Sequence, residues 1–213
     1  MNTVDFGEFN SYEDFSLILA SKTIGKAEPK TETVDIPGGD GVIDYTEYFG
    51  DVKFKNRWLT FEFKTKVPPS EFIELFSTVQ NTLHGKVMQV RLSEEPGMYY
   101  RGRIHVGEWK SNGRIGKITV DVDAEPWKYK NEPTVQNLSV SGSGNFEILN
   151  SRKSAIPNIT VTASMQITFN GVTYSLVPGT TYNDSGITFR QGKNYISATG
   201  TGIITFTWQE GGL

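Results

Sequence analysis

The sequence predicts a mainly β chain of two modules: an antiparallel β-sandwich carrying one α-helix and a hairpin, then a second, smaller β-sandwich. Three observations carry that expectation. Apolar and polar residues alternate with a period of two along most of the chain's apolar runs, which marks strands with one buried face. Helical spacing is confined to one stretch between residues 70 and 84. Charge density falls abruptly near residue 131: residues 1–130 hold 37 charged side chains (17 basic, 20 acidic), whereas residues 131–213 hold 8 and are rich in Gly, Ser, Thr and Asn. Two cores with different surfaces explain that change, so the modules are assigned to residues 1–130 and 131–213, with Pro133 discouraging strand pairing across the junction.

In the first module, "VDIPGGDGVIDYTEYFG" (34–50) lies between two runs that read as strands. Pro37, Gly38 and Gly41 make it a turn, with Asp40 able to bond its own backbone. A phosphate loop needs Lys and Ser/Thr directly after the glycines, and Val42-Ile43-Asp44 stands there instead. A calcium loop fails as well, because Asp40, Asp44 and Glu47 do not have the required ligand spacing. Downstream, "RWLTFEFKTK" alternates Leu59, Phe61 and Phe63 with polar partners. The helix follows, with Ser70 as N-cap, Phe72, Leu75, Phe76, Val79 and Leu83 forming its apolar face, and Gly85 closing it. "KVMQVRL" and "GKITVDVDAEP" supply further strands, and Asn112-Gly113 suggests a hairpin joining strands around 103–109 and 115–124.

The second module is more regular. "ITVTASMQITF" places Ile159, Val161, Ala163, Met165, Ile167 and Phe169 on one face. Asn170-Gly171 then suits a type I′ turn, pairing Val172, Tyr174 and Leu176 with Phe169, Ile167 and Met165. Strands are also expected at 187–189, 195–198 and 203–208, separated by glycine-rich turns.

Composition narrows the function. The net charge of −3 gives no electrostatic case for nucleic-acid recognition. No apolar run is long enough for membrane insertion, and the acidic N-terminal stretch gives no expectation of a secretory signal. With no cysteine, disulfides, thiol catalysis and thiolate metal sites are excluded. A site built on the two histidines, His84 and His105, would require them to converge beside a Ser or carboxylate, and is not expected. Asp121, Asp123 and Glu125 share a strand face and could serve acid–base chemistry, but a solvated face explains them better. Trp109, Trp127, Trp208, Tyr195 and Tyr182 could stack on sugar, with Trp208 and Tyr195 the candidates, although Trp208 shares strand parity with Ile204 and Phe206. No catalytic, metal or cofactor site is assigned, and the chain does not read as an enzyme.

The order of these features over residues 1–130 resembles the N-terminal phage tail-component domain of the distal tail protein (Dit) family of siphovirus-type phages. The pieces are "SYEDFSLILASKTIG", "KTETVDIPGGDGVIDYTEYFG", "KNRWLTFEF" with Arg57, the helix at 70–84, "KVMQVRL", "YYRGRIHVGEW" and "VDVDAEPWKYK". Residues 131–213, ending in "RQGKNYISATGTGIITFTWQ", look like a compact form of that family's C-terminal galectin-like or carbohydrate-binding-module-like β-sandwich. The resemblance implies a structural protein of the virion tail tip, phage or prophage, assembled in the host cytoplasm. It further implies a homo-oligomeric ring, commonly a hexamer, made by the N-terminal modules. Its partners would be the tail-tube protein, the tail hub or tail-associated lysin, and receptor-binding protein. The alternative is a carbohydrate-binding adhesion module acting on host cell-wall sugars.

Overall fold

The computed structural model describes residues 2–48, 50–111 and 115–213, and the expected Asn112-Gly113 turn lies outside them. The chain divides into two compact units, Met1–Lys128 and Tyr129–Leu213. In the first, the strands are β1 (Val4–Phe6), β2 (Phe9–Asn10), β3 (Ile18–Ile24), β4 (Thr33–Asp35), β5 (Val42–Asp44), β6 (Arg57–Thr65), β7 (Val87–Leu92), β8 (Met98–Ser111) and β9 (Gly116–Lys130). The last two residues of β9, Tyr129 and Lys130, belong to the second unit. Between β6 and β7 lie a 3₁₀ turn (Pro69–Glu71) and helix α1 (Phe72–Leu83).

Seven of these strands hydrogen-bond in the order β2-β1-β7-β8-β9-β6-β3, with the described pairings antiparallel. β1 and β6 are four strand spacings apart in that order, about 19 Å in a flat sheet. Yet the Phe6 ring meets Phe61 at 6.0 Å and Phe63 at 6.2 Å between centroids, edge to face. The sheet is therefore rolled, so that β1 and β6 face each other across one core. Leu59, Phe61 and Phe63 point inward from β6, and Ile118, Val120 and Val122 from β9, as the alternation predicts. The terminal strand β3 is interrupted by a bulge between Leu19 and Ser21, and its Lys22 is paired with Glu94.

Helix α1 departs from expectation at its start. Ser70 lies inside the 3₁₀ turn and does not cap the helix; Glu71 holds the N-cap position, without a side-chain bond. Pro68 and Pro69 explain the shift, since proline presets φ for a first turn and needs no amide partner there. At the other end Gly85, at φ +78°, takes the left-handed conformation that an L side chain resists. Phe72, Val79 and Leu83 are buried, whereas Leu75 and Phe76 are half-buried, Phe76 lying flat on Trp109 at 5.8 Å.

The second unit contains β10 (Thr134–Asn150), β11 (Asn158–Val161), β12 (Met165–Phe169), β13 (Val172–Leu176), β14 (Gly192–Trp208) and β15 (Gly211–Gly212). β12 and β13 pair in the expected register, Phe169 with Val172 and Met165 with Leu176, around Asn170 and Gly171 at positive φ. Val172, next to the turn, is nevertheless exposed. The segments expected as separate strands at 195–198 and 203–208 are one strand, β14, paired with β10 along all 17 residues of each. The glycines read as a turn, Gly200 and Gly202, sit inside that ladder opposite Gly142 and Val140. Residues 187–189 form no strand; Phe189 makes a single bridge to Ala155.

A ladder of that length would span about 55 Å if flat. Leu138, Val140 and Ile148 of β10 nevertheless share one core with Ile196, Ile204 and Phe206 of β14. The ladder must curl, and Gly142, Gly200 and Gly202, all at positive φ, lie where it does so. Local pattern breaks such a ladder in two, because glycine is typically a turn residue.

Both units thus rest on sheets wrapped round aromatic cores. Phe61→Ala is expected to cost about 3–5 kcal/mol of unfolding free energy, and Phe76→Ala, on a half-exposed face, distinctly less. Urea titration of the two variants measures the difference; equal losses would contradict this account of the helix.

Candidate assembly interface

The first unit carries one element that its core does not explain. β4 and β5 pair only with each other, Thr33 opposite Asp44 and Asp35 opposite Val42. A bridge between Pro29 and Phe54 ties the base of this arm, and the Phe54 ring rests edge-on against Trp127 at 5.4 Å. At the tip the Gly39 N–H donates to the Ile36 carbonyl (3.1 Å), with Pro37 and Gly38 between them. Gly38 has φ +75°, which makes this a type II turn: proline presets its second position and only glycine fits its third without strain. Gly41 also has positive φ, at +83°.

The hairpin is apolar as well as isolated. Val34 is 55 % exposed, Val42 53 % and Tyr48 74 %, and Ile36, Ile43 and Tyr45 are also exposed. A lone two-stranded hairpin is marginally stable in water, and clustered exposed apolar side chains mark surfaces that become covered. Its charge is one-sided too. Residues 31–52 contain Glu32, Asp35, Asp40, Asp44, Glu47 and Asp51 with no Lys, Arg or His. Asp44 accepts the Thr46 N–H at 2.8 Å, and bonds from the Thr46 hydroxyl and amide hold its pKa below the ordinary carboxylate value. The run of acids without a base is the sequence signal that reading the segment as a turn passes over.

Arg57 is not part of the turn. It opens β6 opposite Ala124, with its side chain on the core side, 6 % exposed, and its guanidinium 4.8 Å from the centre of the Tyr100 ring. Nε and Nη2 have no hydrogen-bond partner among the described residues. Burial pushes its pKa down and Tyr100 acts in the opposite sense; an arginine remains charged regardless.

The other sequence candidates are accounted for by local contacts. His84 and His105 do converge, ring to ring at 6.2 Å, with Trp58 against His105 at 5.6 Å. His84 Nδ1 accepts the Val106 N–H at 3.0 Å, so the ring serves the strand edge as an acceptor. Among the described residues no three of His, Asp and Glu gather as cation ligands. Asp121 accepts from the Thr60 hydroxyl (2.6 Å), Asp123 from Asn56 (3.0 Å) and Glu125 from Arg101 (2.7 Å), so each acid has a partner from a neighbouring segment. The aromatic set is dispersed. Trp109 packs on Phe72 and Phe76, Trp127 on Phe54, and the Tyr182 hydroxyl accepts the Val177 N–H. Trp208 is 3 % exposed, touches Phe189 and donates from Nε1 to Asn150 Oδ1 at 2.9 Å. Of the two sugar candidates only Tyr195, 65 % exposed, shows its ring to solvent.

No protein-family model matches the chain. No curated protein matches it either. Among solved structures it is similar to the crystal structure of the SPP1 Dit (gp 19.1) protein, described as a paradigm of the hub adsorption apparatus in phages infecting Gram-positive hosts. The TM-score is 0.75 over 100 % of each chain, with 15 % sequence identity. The two chains share a fold through both units.

The Arg57 environment generates a stability test. A buried charge without an acceptor is costly, and exchange for an apolar residue of similar length is neutral or stabilising. Arg57→Met should leave the melting temperature unchanged or raise it. A fall of more than a few degrees would mean that the guanidinium is bonded in solution.

Proposed function

We propose that the chain is a non-enzymatic structural component of a phage or prophage tail tip. Its first unit builds a ring, hexameric, at the end of the tail tube. The ring joins the tube protein to the tail hub or tail-associated lysin and to receptor-binding protein. The observation that carries this reading is the likeness of fold, over both full chains, to a protein described as part of a hub adsorption apparatus. The physical chemistry of the first unit supports it. An isolated hairpin with exposed Val34, Val42, Ile43 and Tyr48 gains stability when a neighbour covers it. Contact of that hairpin with a different patch on the next copy is heterologous, and such a contact makes a ring when its rotation closes.

A second reading has one observation in its favour. Tyr195 stands beside the Lys193–Glu147 pair on the solvent face of β14, which continues with Ser197, Thr199 and Thr201 and is joined to β10 by the Ser197–Asn145 bond. An exposed ring among hydroxyls and amides is the chemistry of sugar stacking. Under this reading the second unit binds host cell-wall sugars.

Light scattering of the purified chain should give a mass several times 23.8 kDa, with six-fold rings by negative stain. Val34→Asp combined with Ile43→Asp should shift it to monomer while it stays folded. A wild-type chain that is monomeric at high concentration would overturn the ring. For the second reading, calorimetry with host wall glycans should show binding that Tyr195→Ala abolishes at unchanged melting temperature; no binding by the wild type removes it.

A further inference from the structure

Of the four tryptophans, Trp109 and Trp127 are half-buried and Trp208 is buried, but Trp58 is 54 % exposed. It projects from β6 on the outer face of the rolled sheet, between the inward Arg57 and Leu59. His105 of β8 lies against its ring at 5.6 Å. On the other side the chain leaving β3 passes it at Gly25, whose N–H donates to the Trp58 carbonyl at 2.8 Å. A Cβ on Gly25 would come within 2.6 Å of that oxygen, so this segment adds no side chain beside the indole.

Two carboxylates flank the ring. Asp123 is the direct cross-strand partner of Trp58 on β9, and Asp121 follows on the same face, opposite Thr60. Each accepts one hydrogen bond from a neutral donor, Asn56 Nδ2 to Asp123 Oδ1 and Thr60 Oγ1 to Asp121 Oδ1. Neither enters an ion pair among the described residues, so both keep their charge and an Oδ2 without a partner. On this part of the face, residues 56–62, 101–105 and 121–125, the outward charges are Glu62, Asp121, Asp123 and Glu125 against Arg101 and Arg103. Four carboxylates against two guanidiniums leave the surroundings of Trp58 negative, with histidine taken as neutral. Lys64 lies six residues further along β6, about 20 Å away.

We propose that Trp58, Asp121 and Asp123 form a docking site for an arginine side chain of a partner protein. A guanidinium uses every part of the site. It is planar and positive, so it stacks on the electron-rich face of the indole, and its N–H fork reaches carboxylate oxygens. A sugar ring could stack there too, but it carries no charge to offset the surplus. The described arginines of the first unit are already placed: Arg57 is buried, Arg91 lies over Tyr99, Arg101 is paired with Glu125, and Arg103 donates to the Gly85 carbonyl. The guanidinium therefore comes from outside the unit. Tryptophan and arginine are also the side chains that most often dominate binding energy at protein interfaces. No hairpin residue takes part, so the site stands independently of the ring.

Titration of the full chain with N-acetyl-arginine amide, which carries only the side-chain charge, tests the site by tryptophan fluorescence. A saturable change is expected, and its loss in Trp58→Phe assigns it to that ring. Asp121→Asn combined with Asp123→Asn should weaken binding about fivefold or more, with circular dichroism confirming that the variant is folded. N-acetyl-citrulline amide, similar in shape but uncharged, should bind weaker by a similar factor, and rising salt should weaken the arginine response. No response to the arginine probe overturns the proposal, as does a response that the double variant leaves unchanged. Equal binding of the citrulline probe, or saturation by methyl glucoside, also overturns it, because the ring is then a neutral stacking platform. Sedimentation decides the source of the guanidinium: Trp58→Ala should self-associate as the wild type does. Weaker association would put a second copy on the ring and overturn the assignment to a different protein.

Discussion

The edge-to-face contact of Phe6 with Phe61 and Phe63 is the constraint on which the first unit depends. It can form only if the sheet rolls until β1 and β6, four strand spacings apart, face each other. Rolling creates a single interior for the odd positions of β6 and the even positions of β9, leaving helix α1 to cover the remainder with Val79 and Leu83. It also leaves the opposite parity, Thr60, Glu62 and Lys64 with Asp121 and Asp123, on one outer surface. The polar outer face is thus a by-product of how the core is closed.

The second unit reaches the same end by a different route. It has no helix among its described residues, and its closure comes from curling one long ladder at paired glycines. Trp208, Phe189 and Phe206 then pack together, with Asn150 satisfying the indole N–H. An aromatic with a polar tip can be buried at low cost only if that tip finds a partner, which Asn150 Oδ1 supplies. The two units have cores of the same kind and outer faces of different chemistry, one charged and the other dominated by hydroxyls and amides.

Local pattern made much of this legible. Period-two alternation identified the inward residues of β6, β9 and β12, and Asn170-Gly171 set the register of β12 against β13. What local pattern could not show is anything that depends on a distant strand. The rolling that joins Phe6 to Phe61 is invisible in either segment, and so is the meeting of His84 with His105, which comes from different elements reaching one strand edge. Gly200 and Gly202 read as a turn because their partners, Val140 and Gly142, lie some sixty residues upstream. Ser70 read as a cap because propensity ignores the two prolines before it. The interface candidates divide in the same way: Pro37 and Gly38 identified the turn, but only coordinates show that the hairpin behind it has no sheet to join.

The bulge in β3 has a consequence for growth. A terminal strand with a regular row of free amides and carbonyls invites another chain to extend the sheet without limit, the route to fibrils. Here the step between Leu19 and Ser21 spoils the spacing, and Lys22, tied to Glu94, places a charge on the same edge. Indefinite strand-by-strand polymerisation through that edge is disfavoured.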